Sequence, residues 1–145
     1  MADDVVERVA SALRARGERM TAPRGAVVRA LHGLGEHATS EQVVTRVAQD
    51  DPPVHRASVY RTLEVLRDLG VVVHVHLAHG GTAYQLVEDG EHPHLHGQCQ
   101  DCGVVVDLPR SPLDRVVEDL AATTGFAVDP DHVALSGRCA ACASA

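Results

Sequence analysis

Four cysteines stand in two matched pairs, Cys99-Gln-Asp-Cys102 and Cys139-Ala-Ala-Cys142, with 36 residues between them. Each CxxC unit lets two thiolates grip one tetrahedral zinc ion at about 2.3 Å, and two units close a four-sulfur site. The alternatives are a pair of disulfides or a redox dithiol. A reducing cytosol disfavours the first, and two matching units make the second less economical. A metal held by four sulfurs has no open position, so its role is structural rather than catalytic.

Histidine is the other residue in excess, with ten in 145. The stretch EHPHLHGQC places His92, His94 and His96 at i, i+2 and i+4 just before the first cysteine. In extended chain all three project from one face, which makes a facial set of imidazoles for a second metal or simply a solvated edge. The stretch VVVHVHLAHG sets His74 and His76 at alternate positions of an apolar run. On a strand they lie side by side, about 6 to 7 Å apart, as a ligand pair or as the polar side of a half-exposed strand.

The elements that must carry these residues can be read from spacing. Residues 3–16 put Val6, Val9, Ala10 and Leu13 at helical intervals, with acids at the start, Arg at the end and Gly17 as the stop. Thr21 and Pro23 open a second helix with Ala26, Val27, Ala30 and Leu31 on its apolar face, and Thr39 with Gln42 forms a capping box for a third. In HRASVYRTLEVLRDLG, Val59, Leu63, Leu66 and Leu69 make a stripe that ends at Gly70, and Ser58, Tyr60, Arg61 and Glu64 lie opposite. Two strands follow, 71–77 and 82–87, joined by AHGG. Helices followed by a hairpin predict a winged helix-turn-helix whose fourth helix enters the major groove of DNA. There Arg61 can fork onto guanine, and Tyr60 can pack on a thymine methyl or reach phosphate.

Beyond this, residues 88–92 read as a hinge. VVVDL (104–108) and HVALSG (132–137) read as strands, and the helix between them turns Leu113, Val116, Val117 and Leu120 toward a core. The predicted class is α+β: a winged-helix domain over 1–87 and an α/β dimerisation and metal-binding domain over 93–145. The formal charge of −7 argues, taken whole, against nucleic acid, but residues 1–88 carry 10 Arg against 11 acids and residues 89–145 carry 3 against 9. The front half therefore has Arg available for phosphate. No run approaches the roughly 18 apolar residues of a membrane span. The N-terminus is acidic and amphipathic, and the expectation is a cytoplasmic protein.

These parts together resemble the ferric uptake regulator family of metal-dependent repressors, from about residue 7 to residue 142. The resemblance is carried by RMTAPR (19–24), SVYRTL (58–63), HPHLHGQCQDC (92–102) and CAAC (139–142), with Ser58 where the family usually has Thr. It implies a homodimer that binds an inverted-repeat operator in double-stranded DNA when its regulatory metal is loaded. It also implies that Arg19 reaches the minor groove while Tyr60 and Arg61 work in the major groove.

Within the family, an iron sensor would be expected to have Glu, and a peroxide sensor Asp, at the position of Gln85. The iron type also often uses positions held here by Pro93 and Leu95, and the zinc-sensing branch has Cys where this chain has Val87. The nickel-responsive branch fits better. Its hinge site maps onto His37, His92, His94 and His96, and its second site onto His74, His76 and His132. Imidazole suits nickel, zinc and copper, whereas iron(II) and manganese(II) sites gain from carboxylates. Asp107 sits where some relatives supply such a carboxylate, and zinc or iron(II) stand as alternative regulatory metals beside nickel. A zinc hydrolase or deaminase lacks its HExxH or HxE motif here. A metal buffer or chaperone would explain the histidines and leave the Tyr60-Arg61 helix surplus.

Overall fold

The computed structural model describes residues 1–35, 37–77, 81–87 and 94–144, with only the backbone of His94 and Asp131. The expected hinge, 88–92, and most of the AHGG turn lie outside those residues. Two compact units emerge, and the division falls inside one strand, between His74 and Val75.

The first unit begins with helix α1, Ala2–Ala15, whose Asp3 and Asp4 sit in the first turn and whose Val5, Val9, Ala10 and Leu13 are buried. Gly17 follows at φ +77°, the left-handed conformation that ends a helix at no side-chain cost. Helix α2, Ala22–Leu34, starts where the Thr21 hydroxyl accepts from the Arg24 N–H, with proline in the first turn. A two-residue strand β1, Ala38–Thr39, leads into α3, Ser40–Asp50. The predicted capping box is present: the Gln42 N–H donates to the Thr39 hydroxyl at 3.2 Å, and the Thr39 N–H donates to the Gln42 side chain at 2.8 Å. Helix α4, Arg56–Asp68, buries Val59, Leu63 and Leu66 essentially completely.

Strands β2, Val72–His76, and β3, Thr82–Leu86, complete the unit, and β3 lies between β1 and β2. The predicted hairpin thus supplies the centre and one edge of a three-stranded sheet, with β1 as the other edge. The ten largest fully buried side chains are all Leu or Val, so the core is aliphatic, as a chain with 2% aromatic residues requires. Each contributes roughly 1.5 to 3 kcal/mol by burial.

The second unit is built on β4, His94–Cys99, the centre of a sheet ordered β5-β4-β6. Strand β5, Val105–Pro109, runs antiparallel to it and β6, Leu135–Gly137, parallel. Helix α5, Ser111–Thr124, connects them, followed by a single 3-10 turn at Pro130–His132, and α6, Ala140–Ala143, closes the chain. Two expectations change here. Only Leu135–Gly137 of the HVALSG stretch is strand, because His132 belongs to the 3-10 turn. Of the apolar face of α5 only Leu113 is buried, while Val116 and Leu120 are exposed. Among the described residues no helix is long and apolar enough to cross a membrane.

Candidate metal centres and nucleic-acid face

The end of β4 delivers Cys99, and a tight turn brings the chain back. The Gly103 N–H donates to the Cys99 carbonyl and the Cys99 N–H to the Val104 carbonyl, both at 2.9 Å. Gly103 takes φ +75°, which a Cβ would resist. Cys139 caps α6 and Cys142 lies within it. The four sulfurs all lie within 4.8 Å of one another. Cys102 and Cys139 are 3.8 Å apart, far beyond a disulfide bond and close to the roughly 3.8 Å edge of a tetrahedron with about 2.3 Å metal–sulfur bonds.

The electrostatics of the cluster also ask for a cation. The Cys139 N–H, 3.4 Å from the Cys99 sulfur, together with that of Cys102, stabilises the Cys99 thiolate and brings its pKa down to about 6. Hydrogen bonds with Cys139, Cys102 and Cys99 favour the protonated form of Cys142 and push its pKa up to about 12. A divalent metal would let all four sulfurs ionise by sharing their charge, and four sulfurs within 4.8 Å of one another, one pair at 3.8 Å, fit zinc. Arg138 braces the two knuckles, donating to Asp101 at 2.6 Å and to the Cys142 carbonyl at 3.0 Å.

The histidines are distributed as follows. In the first unit, His37 precedes β1, half-buried and at φ +60°, a left-handed conformation uncommon outside glycine but several-fold enriched in His, Asn and Asp. His74 is half-buried on β2. In the second unit, His96 is half-buried on β4 directly opposite Asp107 on β5, with Nδ1 3.1 Å from the carboxylate. His94 opens β4, and His92 lies outside the described residues. His76 and His132, both exposed and both in the second unit, stack with ring centroids 5.9 Å apart and an interplanar angle of 30°. His132 Nδ1 is 2.7 Å from the carboxylate of Asp129. In the tautomer that donates from Nδ1, the lone pair sits on Nε2, the usual state of a ligating imidazole. Sequence reasoning missed Asp129; its one signal was a carboxylate three residues before a histidine, a spacing that meets in a 3-10 turn.

On the first unit, α4 presents Tyr60 half-buried and Arg61 exposed. Two further residues, not anticipated, join Tyr60. The Glu41 carboxylate on α3 accepts from both the Tyr60 hydroxyl and Arg56, and Arg56 reaches the Tyr60 oxygen at 2.9 Å. The Arg56 guanidinium also lies over the Tyr60 ring, 5.4 Å from its centroid. Hydrogen bonding to Glu41 raises the Tyr60 pKa, and the Tyr60 and Arg56 hydrogen bonds lower that of Glu41. Arg19 is exposed between α1 and α2, on a loop fixed by Arg24, which donates to the Arg19 carbonyl at 2.7 Å and to Glu18 at 3.0 Å.

Residues 15–136 match the model of the family described as "Ferric uptake regulator family". The ferric uptake regulation protein of Bacillus subtilis (strain 168) is 30% identical over 139 residues, covering 94% of this chain and 93% of that protein. The peroxide-responsive repressor PerR of Staphylococcus epidermidis is 29% identical over 140 residues, covering 97% and 91%. The crystal structure of the Vibrio cholerae ferric uptake regulator shares the fold with a TM-score of 0.67 at 25% identity, covering 89% of this chain and 98% of that one.

Proposed function

The chain belongs to the ferric uptake regulator family, metal-responsive transcription regulators rather than enzymes, and from that premise we propose that it represses transcription in response to nickel. It binds inverted-repeat operator DNA as a homodimer, with Tyr60 and Arg61 of α4 in the major groove and Arg19 in the minor groove. Zinc held by Cys99, Cys102, Cys139 and Cys142 supplies a structural cross-link for the second unit. His37, His92, His94 and His96 form one regulatory set, and His74, His76 and His132 the other.

The observation that carries the nickel reading is the approach of His76 to His132, two imidazoles 5.9 Å apart from segments far separated in sequence. With His74 as the third ligand of this reading, the donor set is all imidazole, which suits nickel and lacks the carboxylate that iron(II) and manganese(II) sites gain from. Both histidine sets draw residues from either side of 88–92. Their occupancy therefore selects among arrangements of the two halves, and an operator with fixed half-site spacing accepts only some of these.

A second reading is favoured by a different contact. Asp107 stands 3.1 Å from His96, which offers the hinge set a carboxylate and would suit iron(II) or manganese(II). One relative above, the ferric uptake regulation protein of Bacillus subtilis, lies on that side by its name. A mobility-shift assay on the protein's own promoter decides, with Ni, Zn, Fe(II) and Mn(II) added separately to chelator-treated protein that retains its zinc. Nickel is expected to give the shift, and the double variant His74→Ala, His76→Ala to lose it while keeping its zinc content. Nickel-dependent binding that survives in that variant would remove His74 and His76 from the sensor.

A further inference from the structure

We infer that Glu41 is a positioning residue for DNA recognition: its carboxylate holds the Tyr60 hydroxyl, so that Tyr60 reads DNA with its ring and not with its O–H. The inference rests on the DNA-binding reading above and goes further, because that reading leaves two uses open for Tyr60. A phenol can donate to a phosphate oxygen, which carries no sequence information, or lay its ring against a thymine methyl, which does.

The hydrogen-bond inventory decides between them. A tyrosine hydroxyl has one proton to donate, and here it goes to Glu41. Its oxygen accepts from Arg56 at 2.9 Å, so donor and acceptor are both engaged within the protein. The ring is left to make contact. Arg56 is partly committed in the same way: one of its terminal nitrogens serves both Glu41 and the Tyr60 oxygen, and its other N–H groups remain for phosphate. The side chains of Glu41 and Arg56 are 63% and 59% exposed. An ion pair so open to water adds little stability, so its consequence is geometric. Three side chains from two helices are held in one arrangement before DNA arrives, and contacts held in place beforehand cost less ordering on binding.

Glu41 has a second effect. A carboxylate beside the phosphate backbone repels it, which weakens binding to every sequence alike. The residue thus lowers general affinity while sharpening the contact that reads a base. This arrangement fits a chain whose first 88 residues carry nearly balanced charge.

The test uses full-length, metal-loaded protein and a duplex selected from a random-sequence library. Thymines in the selected site are replaced one at a time by uracil, which deletes only the methyl group. Wild type is expected to lose about threefold to fivefold in affinity at one position per half-site, the worth of one buried methyl group. Glu41→Ala and Tyr60→Phe should each flatten that uracil penalty to near unity, and the double variant should flatten it no further. Glu41→Ala should also bind unrelated competitor DNA more tightly than wild type, whereas Tyr60→Phe should not. A full uracil penalty retained in Glu41→Ala overturns the inference, and so does a wild type with no uracil-sensitive position. Loss of affinity for all sequences alike in Tyr60→Phe would assign the hydroxyl to phosphate and overturn it too. If metal-loaded wild type enriches no sequence at all, the repressor reading fails instead. Retained zinc and helix content establish that each variant is folded.

Discussion

At the scale of single residues, the informative carboxylates are those that touch an imidazole. Asp129 lies three residues before His132 and meets its Nδ1 at 2.7 Å; Asp107 meets His96 Nδ1 at 3.1 Å across the β4–β5 register. A carboxylate that takes one ring N–H fixes the tautomer and raises the basicity of the other nitrogen, the one a metal uses. If His132 is a nickel ligand, Asp129→Ala should weaken nickel binding to the zinc-loaded protein about 10- to 100-fold by titration calorimetry. Asp129→Asn, which keeps an acceptor and loses the charge, should fall between. Equal nickel affinity in all three proteins would detach Asp129 from the site, and a folded variant with unchanged zinc excludes a general collapse. The sequence displayed the candidate ligands far better than these partners. CxxC and alternating His announce themselves by spacing, and the four cysteines do gather within 4.8 Å. Asp129 and Glu41 are two of twenty acids, and a surface carboxylate acquires a role only when the fold sets a histidine or a tyrosine beside it.

At the scale of elements, helix ends were legible because their chemistry is local. Thr21, Thr39 with Gln42, Gly17 and Gly70 all act at or beside the ends of helices, and each could be read from a few neighbouring residues. The cap at Thr39 does two things at once: its side chain opens α3 while its backbone pairs with Ala83 in the sheet. Thr39→Ala removes one half of the capping box and should destabilise the protein by about 1 kcal/mol, read as a lower denaturant midpoint at unchanged slope. Thr39→Ser should restore most of it. An unaltered midpoint in Thr39→Ala would mean that the cap contributes nothing to the stability of α3. What could not be read at this scale were elements made by partners distant in the chain. Strand β1 has two residues and exists because β3 pairs with it. Strand β6 has three and exists because β4 does, and nothing in HVALSG marks where the 3-10 turn stops and the strand begins.

At the scale of the whole molecule, the two halves differ in how they treat apolar surface. The first 74 residues and β3 enclose a core of Val and Leu, so that unit is satisfied within one chain. The second leaves Val116 49%, Leu120 36% and Phe126 66% exposed on and just after α5, and Val106 and Leu135 exposed on its sheet. Periodicity marked Val116 and Leu120 as inward-facing, and it cannot say whether the surface that covers a face belongs to the same chain. A large exposed apolar face marks an interaction surface, and the homodimer proposed above supplies a second copy to cover it. Introducing Val116→Glu and Leu120→Glu together would bury unpaired charge in that interface, which costs far more than the contact it replaces. The double variant should sediment as a monomer and retain one zinc per chain, because neither residue is among the four cysteines. It should also lose operator affinity by orders of magnitude, since two half-sites bound through one dimer hold far more tightly than either alone. A double variant that still sediments as the wild-type dimer would place the dimer interface elsewhere and leave this face of α5 without a function.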